Sequence, residues 1–140
     1  MPWSYVQKTG NLRRNGVLVG RGYSGHGAGV NNPTLQRVVA VGPIPDDVYR
    51  IGAPYRDPHR GALTMRLTPV DGHAGDSETH RDGFLIHADA QKFPGQMVAS
   101  EGCIILSAEL RMLIAQAVQS HPADDILTVT SEEETNENLA

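Results

Sequence analysis

Apolar and polar positions along this chain alternate or cluster in short stretches. Trp3, Tyr5 and Gln7 alternate with Ser4, Val6 and Lys8, and residues 16–20 read Gly-Val-Leu-Val-Gly. Both patterns predict strands. Further strands are predicted over 35–41 (LQRVVAV), 48–51 (VYRI) and 62–67 (ALTMRL), the last placing Leu63, Met65 and Leu67 on one face. Phe84-Leu85-Ile86 and Cys103-Ile104-Ile105-Leu106 are continuous apolar runs, which suit strands covered on both faces. One helix stands out, because Leu110, Leu113, Ile114, Ala117 and Val118 recur at helical spacing and form one apolar stripe. Ser107 is its predicted cap, Glu109 favours the dipole in the first turn, and Pro122 stops it. Residues 126–130 (ILTVT) read as a last strand. The expected fold is mainly β with one principal helix near the C-terminus. A single domain over 1–130 is followed by an acidic tail, 131–140, expected to fray, with Glu132 to Glu134 as a solvated run.

Two segments lack regular period: Tyr23 to Pro33, with Gly25, Gly27 and Gly29, and Pro69 to Asp82, with His73 and His80. Loops this long in a compact domain are often functional. The chain has 140 residues, long enough to bury about two thirds of its unfolded surface. Its net charge of −4 gives no basic excess for nucleic acid. No apolar run approaches the ~20 residues that span a bilayer, so no membrane insertion is expected. The N-terminal residues lack the apolar stretch of a cleavable secretory signal.

A lone cysteine, Cys103, excludes an internal disulfide and a four-cysteine zinc site. It follows a small-residue turn, Ala99-Ser100-Glu101-Gly102, and opens an apolar strand. Gly102 lets the backbone approach a ligand or take a positive φ, and N–H groups in such a turn can receive an oxyanion. Taken alone, such a cysteine is most simply a small buried hydrophobe. His87 changes that balance: it ends the strand of Phe84-Leu85-Ile86, sixteen residues upstream. A thiol near an imidazole can become a nucleophile, and alkylation well below pH 8.5 would be its mark. The imidazole needs an orienting acceptor, for which Asp89 or a backbone carbonyl in the 69–82 loop are the candidates. Tyr23, Ser24 and Asn31 are candidate groove residues, with plain turn chemistry as the equal alternative.

His87 followed by Ser100-x-Gly102-Cys103-Ile104 resembles the signature of L,D-transpeptidases. Tyr23-Ser24-Gly25, Asn31-Asn32-Pro33, Gly42-Pro43-Ile44-Pro45, Tyr49-x-Ile51, Phe84 to His87 and Ala99 to Leu106 resemble, in order, the type VI secretion effector branch of that family. The resemblance implies a β-sandwich or mixed-sheet fold of that family and a thioester mechanism on peptidoglycan stem peptides. The bond before terminal D-alanine would be cleaved, with carboxypeptidase, exchange or cross-linking outcomes. It implies Cys103 as nucleophile, His87 as general base, Gly102 and Cys103 N–H groups as oxyanion donors and Ser100 as loop support. Substrate-binding candidates are Tyr23, Ser24, Asn31, Asp89 and Arg111. No cofactor is implied. Delivery by a dedicated apparatus, action in the periplasm of a target bacterium and a cognate immunity protein are implied as well. Ile105 stands where many such enzymes carry Arg or Asn after the Cys-Ile pair, which leaves Arg111 or Arg81 to hold a carboxylate. Ala88 replaces the usual Gly after the histidine, and Asp47 replaces a Gly before Tyr49.

The competing readings are a non-catalytic β domain that binds peptidoglycan or a partner and keeps Cys103 as a core residue, and a zinc site from His73, His80, His87 and Cys103. The latter lacks close-pair ligand spacing. The glycines of 22–29 have no Lys-Ser/Thr to complete a phosphate loop.

Overall fold

The computed structural model of the chain describes residues 2–70, 81 and 83–133. Ten short strands and one helix follow in order. They are β1 (Trp3–Val6), β2 (Asn11–Arg14), β3 (Val17–Arg21), β4 (Tyr23–Ser24), β5 (Asp47–Ile51), β6 (Tyr55–Asp57), β7 (Gly61–Pro69), β8 (Leu85–His87), β9 (Ile104–Ile105), α1 (Ala108–Ser120) and β10 (Ile126–Thr130). The fold is mainly β, as the sequence predicts, with the helix near the C-terminus.

Nine strands form one mixed sheet in the order β3-β2-β1-β10-β5-β7-β8-β9-β4, and β6 pairs with β7. β1/β10 and β8/β9 are parallel; the other pairs are antiparallel. The two ends of this path nearly meet, because β4 starts one residue after β3 ends. Gly22 makes that junction: its N–H donates to Gly10 C=O at 2.9 Å, and a Cβ there would stand 2.1 Å from the Ile105 carbonyl oxygen. Only a residue without a side chain lets the backbones approach so closely.

The core is built by Trp3, Tyr5, Leu12, Ile44, Tyr49, Met65, Ile86, Ile104, Ile114 and Leu127, all fully buried. The helix lays Ile114, Ala115 and Ala117 against it, with Leu110, Leu113 and Val118 packed at the edge. Ser107 Oγ accepts the Leu110 N–H at 3.2 Å, which is the predicted cap. Met65 and Leu67 are buried on β7, whereas Leu63 is half-buried and takes φ +58°.

The strand expected over 35–41 does not form. Pro33–Leu35 is a 3-10 turn capped by Asn32, whose Oδ1 accepts the Thr34 N–H, and residues 36–41 continue as turns with Val38 and Val39 exposed. The segment's carbonyls are taken by turn and tertiary bonds instead of a ladder: Leu35 C=O receives the Val38 N–H, Val38 C=O the Val41 and Gly42 N–H groups, and Val41 C=O the His26 N–H. Arg81 reaches the Gln36 carbonyl and, just beyond the segment, those of Gly42 and Pro43. Of the tail, Glu132 pairs with Lys8 at 3.3 Å in solvent, while Glu133 is half-buried and receives Thr9, Asn11 and Arg13. Burial alone would raise the Glu133 carboxyl; these donors more than reverse it and hold it below its usual value. Glu133 is thus fastened to the domain rather than solvated. Residues 134–140, and His73 and His80 of the 69–82 loop, lie outside the described residues.

Candidate active site around Cys103 and His87

The parallel ladder of β8 and β9 builds the site. Ile86 pairs with Ile104 and His87 with Ile105. Side chains alternate along strands, and parallel partners share a face. Ile86 and Ile104 therefore enter the core together, while His87 lies on the face of Ile105. Cys103 lies in the bend just before β9, one position ahead of Ile104 and so level with Leu85. Sixteen residues of sequence separation are reduced to two adjacent strands, with His87 ending β8 and Cys103 preceding β9.

Ser100 shapes the turn before the cysteine. Its buried Oγ donates to the Cys103 carbonyl at 2.7 Å and accepts the N–H groups of Gly25 (2.9 Å) and Gly102 (3.1 Å). Gly102 takes φ +133°, and a Cβ on it would stand 2.2 Å from Arg81 Nη2. The turn thus requires glycine both for its dihedral and for the guanidinium beside it. The Gly102 N–H is directed to Ser100, so it does not face outward as an oxyanion donor.

His87 is 4% exposed, and its Nδ1 lies 2.8 Å from the Ala88 carbonyl. A carbonyl only accepts, so Nδ1 carries the proton and Nε2 is left with a lone pair. Among the described residues the orienting group is this adjacent carbonyl rather than Asp89; residues 71–80 and 82 of the 69–82 loop lie outside them. Burial, aided by the charges of Arg60 and Arg111, lowers the His87 pKa despite the Ala88 bond and Asp57. Burial pushes the Cys103 thiol up, and the Leu85 N–H, Arg60 and Arg81 only partly offset it. Both shifts favour the uncharged forms, a thiol and a neutral imidazole.

Residues 19–129 match the family model described as the Tlde1 domain. The chain belongs to the Tlde1 domain family. That family is one of type VI secretion effectors, and every candidate residue falls inside the matched span. No curated protein matches the chain.

Within the Tlde1 domain the nine candidates divide into two groups. His87, Asp89 and Arg111 line a groove of about 820 Å3, and Gly102 and Cys103 line an adjoining recess of about 260 Å3. Ser100, Tyr23, Ser24 and Asn31 line neither, and their polar atoms hold the backbone instead. Ser24 Oγ accepts the Ile44 N–H and donates to Gly102 C=O, while its N–H donates to Asn31 Oδ1. Tyr23 Oη donates to Asp89 at 2.8 Å and accepts the Ala99 N–H at 3.0 Å, clasping both ends of the 88–99 loop. Burial, with the Asp89 charge, lifts this phenol to about 12. Asp89 also accepts the Ala90 and Gly95 N–H groups, and these donors hold it below its usual range against burial. Arg111 extends from α1 to the Leu106 and Ala62 carbonyls, joining helix, β9 end and β7 start. Among the described residues no group of three His, Cys, Asp or Glu side chains is placed to hold a metal.

Sequence reasoning gave Arg81 only a carboxylate-holding part and missed Asp57 and Arg60. Arg81 is 4% exposed, stacks on Phe84 with its guanidinium 5.5 Å from the ring, and also donates to Glu101 C=O. Its donors face backbone carbonyls, so it pins the cysteine turn to the 36–43 segment. Asp57 and Arg60 flank the turn between β6 and β7 and were signalled only by the turn residues Asp57-Pro58 and Gly61.

Proposed function

We propose that this chain is a cysteine-dependent peptidoglycan-modifying enzyme. It cleaves the L,D bond before the terminal D-alanine of stem tetrapeptides and acts in the periplasm of a target bacterium after type VI delivery. The observation that supports the reading is the parallel β8/β9 ladder, which ends in His87 and begins just after Cys103, with His87 lining the groove and Cys103 the adjoining recess. Family membership supports the delivery route.

In this reading His87 Nε2 takes the Cys103 proton as sulfur attacks the scissile carbonyl. Ser100 fixes the cysteine carbonyl, and the oxyanion falls to the Cys103 N–H, since the Gly102 N–H is engaged. Collapse of the tetrahedral species returns the proton from His87 to the departing amine, releasing D-alanine and leaving a thioester. Water then gives the tripeptide, and a free D-amino acid gives exchange. Because the thiol is raised and the imidazole lowered, this reading requires the proton to leave sulfur as it attacks rather than beforehand. Tyr23, Ser24, Asn31 and Asp89 act as positioning residues, and a cognate immunity protein would protect the producer.

Mass spectrometry of purified tetrapeptide muropeptides incubated with the protein, with and without D-methionine, tests this. Loss of one alanine, or its replacement by methionine, is expected. Both should vanish in a folded Cys103→Ala variant. Unchanged products with that variant would remove the nucleophile. A wild-type protein that binds muropeptides without altering them would instead establish a binding domain.

A further inference from the structure

Arg60 stands where the groove and the recess meet. It lines the first together with His87 and the second together with Cys103. It ends a tight turn built on one carboxylate. Asp57 Oδ1 accepts the His59 and Arg60 N–H groups at 2.9 and 3.0 Å, and Oδ2 receives Arg60 Nη1 at 3.4 Å. The Asp57 side chain is mostly covered, whereas that of Arg60 is 45% exposed. Among the described residues Asp57 is the one side chain that Arg60 bonds, so its Nε and Nη2 donors remain for a ligand.

The other cations near the thiol are differently placed. Arg81 faces the Gln36, Gly42, Pro43 and Glu101 carbonyls, and Arg111 faces Leu106 and Ala62. Neither is presented as Arg60 is. Acidic groups share these cavities, Asp57 and Asp89 on the groove and Glu101 on the recess, but the groove's cations outnumber its carboxylates. With Arg56, Lys92 and Arg111 on the same groove, the field there favours an anion.

We propose that Arg60 receives the carboxylate of the residue displaced at Cys103, and so selects peptides whose free C-terminus lies directly after the scissile bond. The proposal rests on the reading of Cys103 as nucleophile. In a terminal residue the carboxylate is one residue beyond the carbonyl under attack, about 3.8 Å along the chain. A seat for it must therefore lie near the sulfur, and Arg60 lines the same recess as Cys103. A guanidinium offers two parallel donors to a carboxylate, which fixes orientation as well as charge. A peptide amide or an internal bond supplies no anion there and is passed over.

The test compares alkylation of Cys103 by iodoacetate and by iodoacetamide in wild-type protein, Arg60→Gln and Arg60→Lys. The same thiolate displaces iodide from both reagents, so the ratio of their rates cancels any change in thiol ionisation and reads the carboxylate preference alone. The ratio is expected to fall about three- to fivefold in Arg60→Gln, the size of a partly exposed ion pair, and by less in Arg60→Lys, which keeps the charge but not the parallel donors. A ratio within twofold of wild type in a folded Arg60→Gln, or no alkylation of the native thiol by either reagent, overturns the proposal. Because the ratio needs no turnover, it is read independently of whether tetrapeptides are cleaved. Where they are, Arg60→Gln should raise KM for the peptide acid with little change in kcat. It should leave the corresponding C-terminal amide unaffected.

Discussion

The Ser100 hydroxyl donates to the Cys103 carbonyl at 2.7 Å while receiving two backbone N–H groups, from Gly25 and Gly102. One buried oxygen thereby joins the β4 end, the glycine turn and the cysteine. The position of the sulfur depends on a bond network that does not include the sulfur itself.

Ser100→Ala would leave two buried donors and one acceptor without this partner. Such groups cost about 1–3 kcal/mol when stranded. The urea midpoint is expected to fall accordingly. Cys103 should then react with iodoacetamide at a rate closer to that of the unfolded chain, since the turn no longer holds it. An unchanged midpoint would show that water takes over all three bonds.

Gly102→Ala meets two obstacles at once: φ +133° and the Arg81 guanidinium at 2.2 Å from the new Cβ. Strained dihedrals of this kind cost roughly 1–3 kcal/mol before any displacement of Arg81. The variant should be less stable than Ser100→Ala by thermal unfolding. A stability equal to wild type would mean that the turn relaxes freely.

Acid sensitivity follows from His87. Its folded pKa lies below the ordinary value of about 6.5 because burial disfavours the cation. Between those two values the unfolded chain binds the proton and the folded chain does not, so stability falls as pH drops below about 6.5 and is intact above it. Urea titrations at stepped pH should show this slope, and His87→Gln should flatten it. An identical slope in the variant would assign the loss to other groups.

The Tyr23 clasp predicts a local effect. Tyr23→Phe removes the hydroxyl that joins Asp89 to the Ala99 N–H. A loss of about 1–2 kcal/mol is expected, with faster amide hydrogen exchange confined to the 88–99 loop. Exchange that rises uniformly across the sheet would instead indicate a core defect.

Much of the framework is legible in local pattern. The 107–120 helix announces itself through its stripe, its serine cap and Pro122, since all three act within a few residues of each other. The runs before His87 and after Cys103 read as covered strands because both of their faces must be apolar. Asn15-Gly16, with φ of +49° and +82°, makes the β2–β3 hairpin turn and is a pair that such a pattern search can recognise, though β2 itself has too little alternation to stand out. The 35–41 segment misleads for the opposite reason. Its β-branched residues carry strand propensity, but its carbonyls are taken by turn N–H groups and by partners far along the chain, Gln36 by Arg81 and Val41 by the His26 N–H, and such tertiary context overrides propensity.

The sequence by itself determined which residue types have the chemistry, a single thiol and an imidazole on strand ends, because nucleophilicity and basicity belong to the side chains. Only the tertiary structure decided their setting. The β8/β9 ladder brought the two strands side by side, burial favoured the uncharged forms, and the Ala88 carbonyl chose the tautomer. Chain closure brought Arg60 to the boundary between the two cavities. Those outcomes depend on distances between segments far apart in sequence, and a local pattern carries no information about such distances.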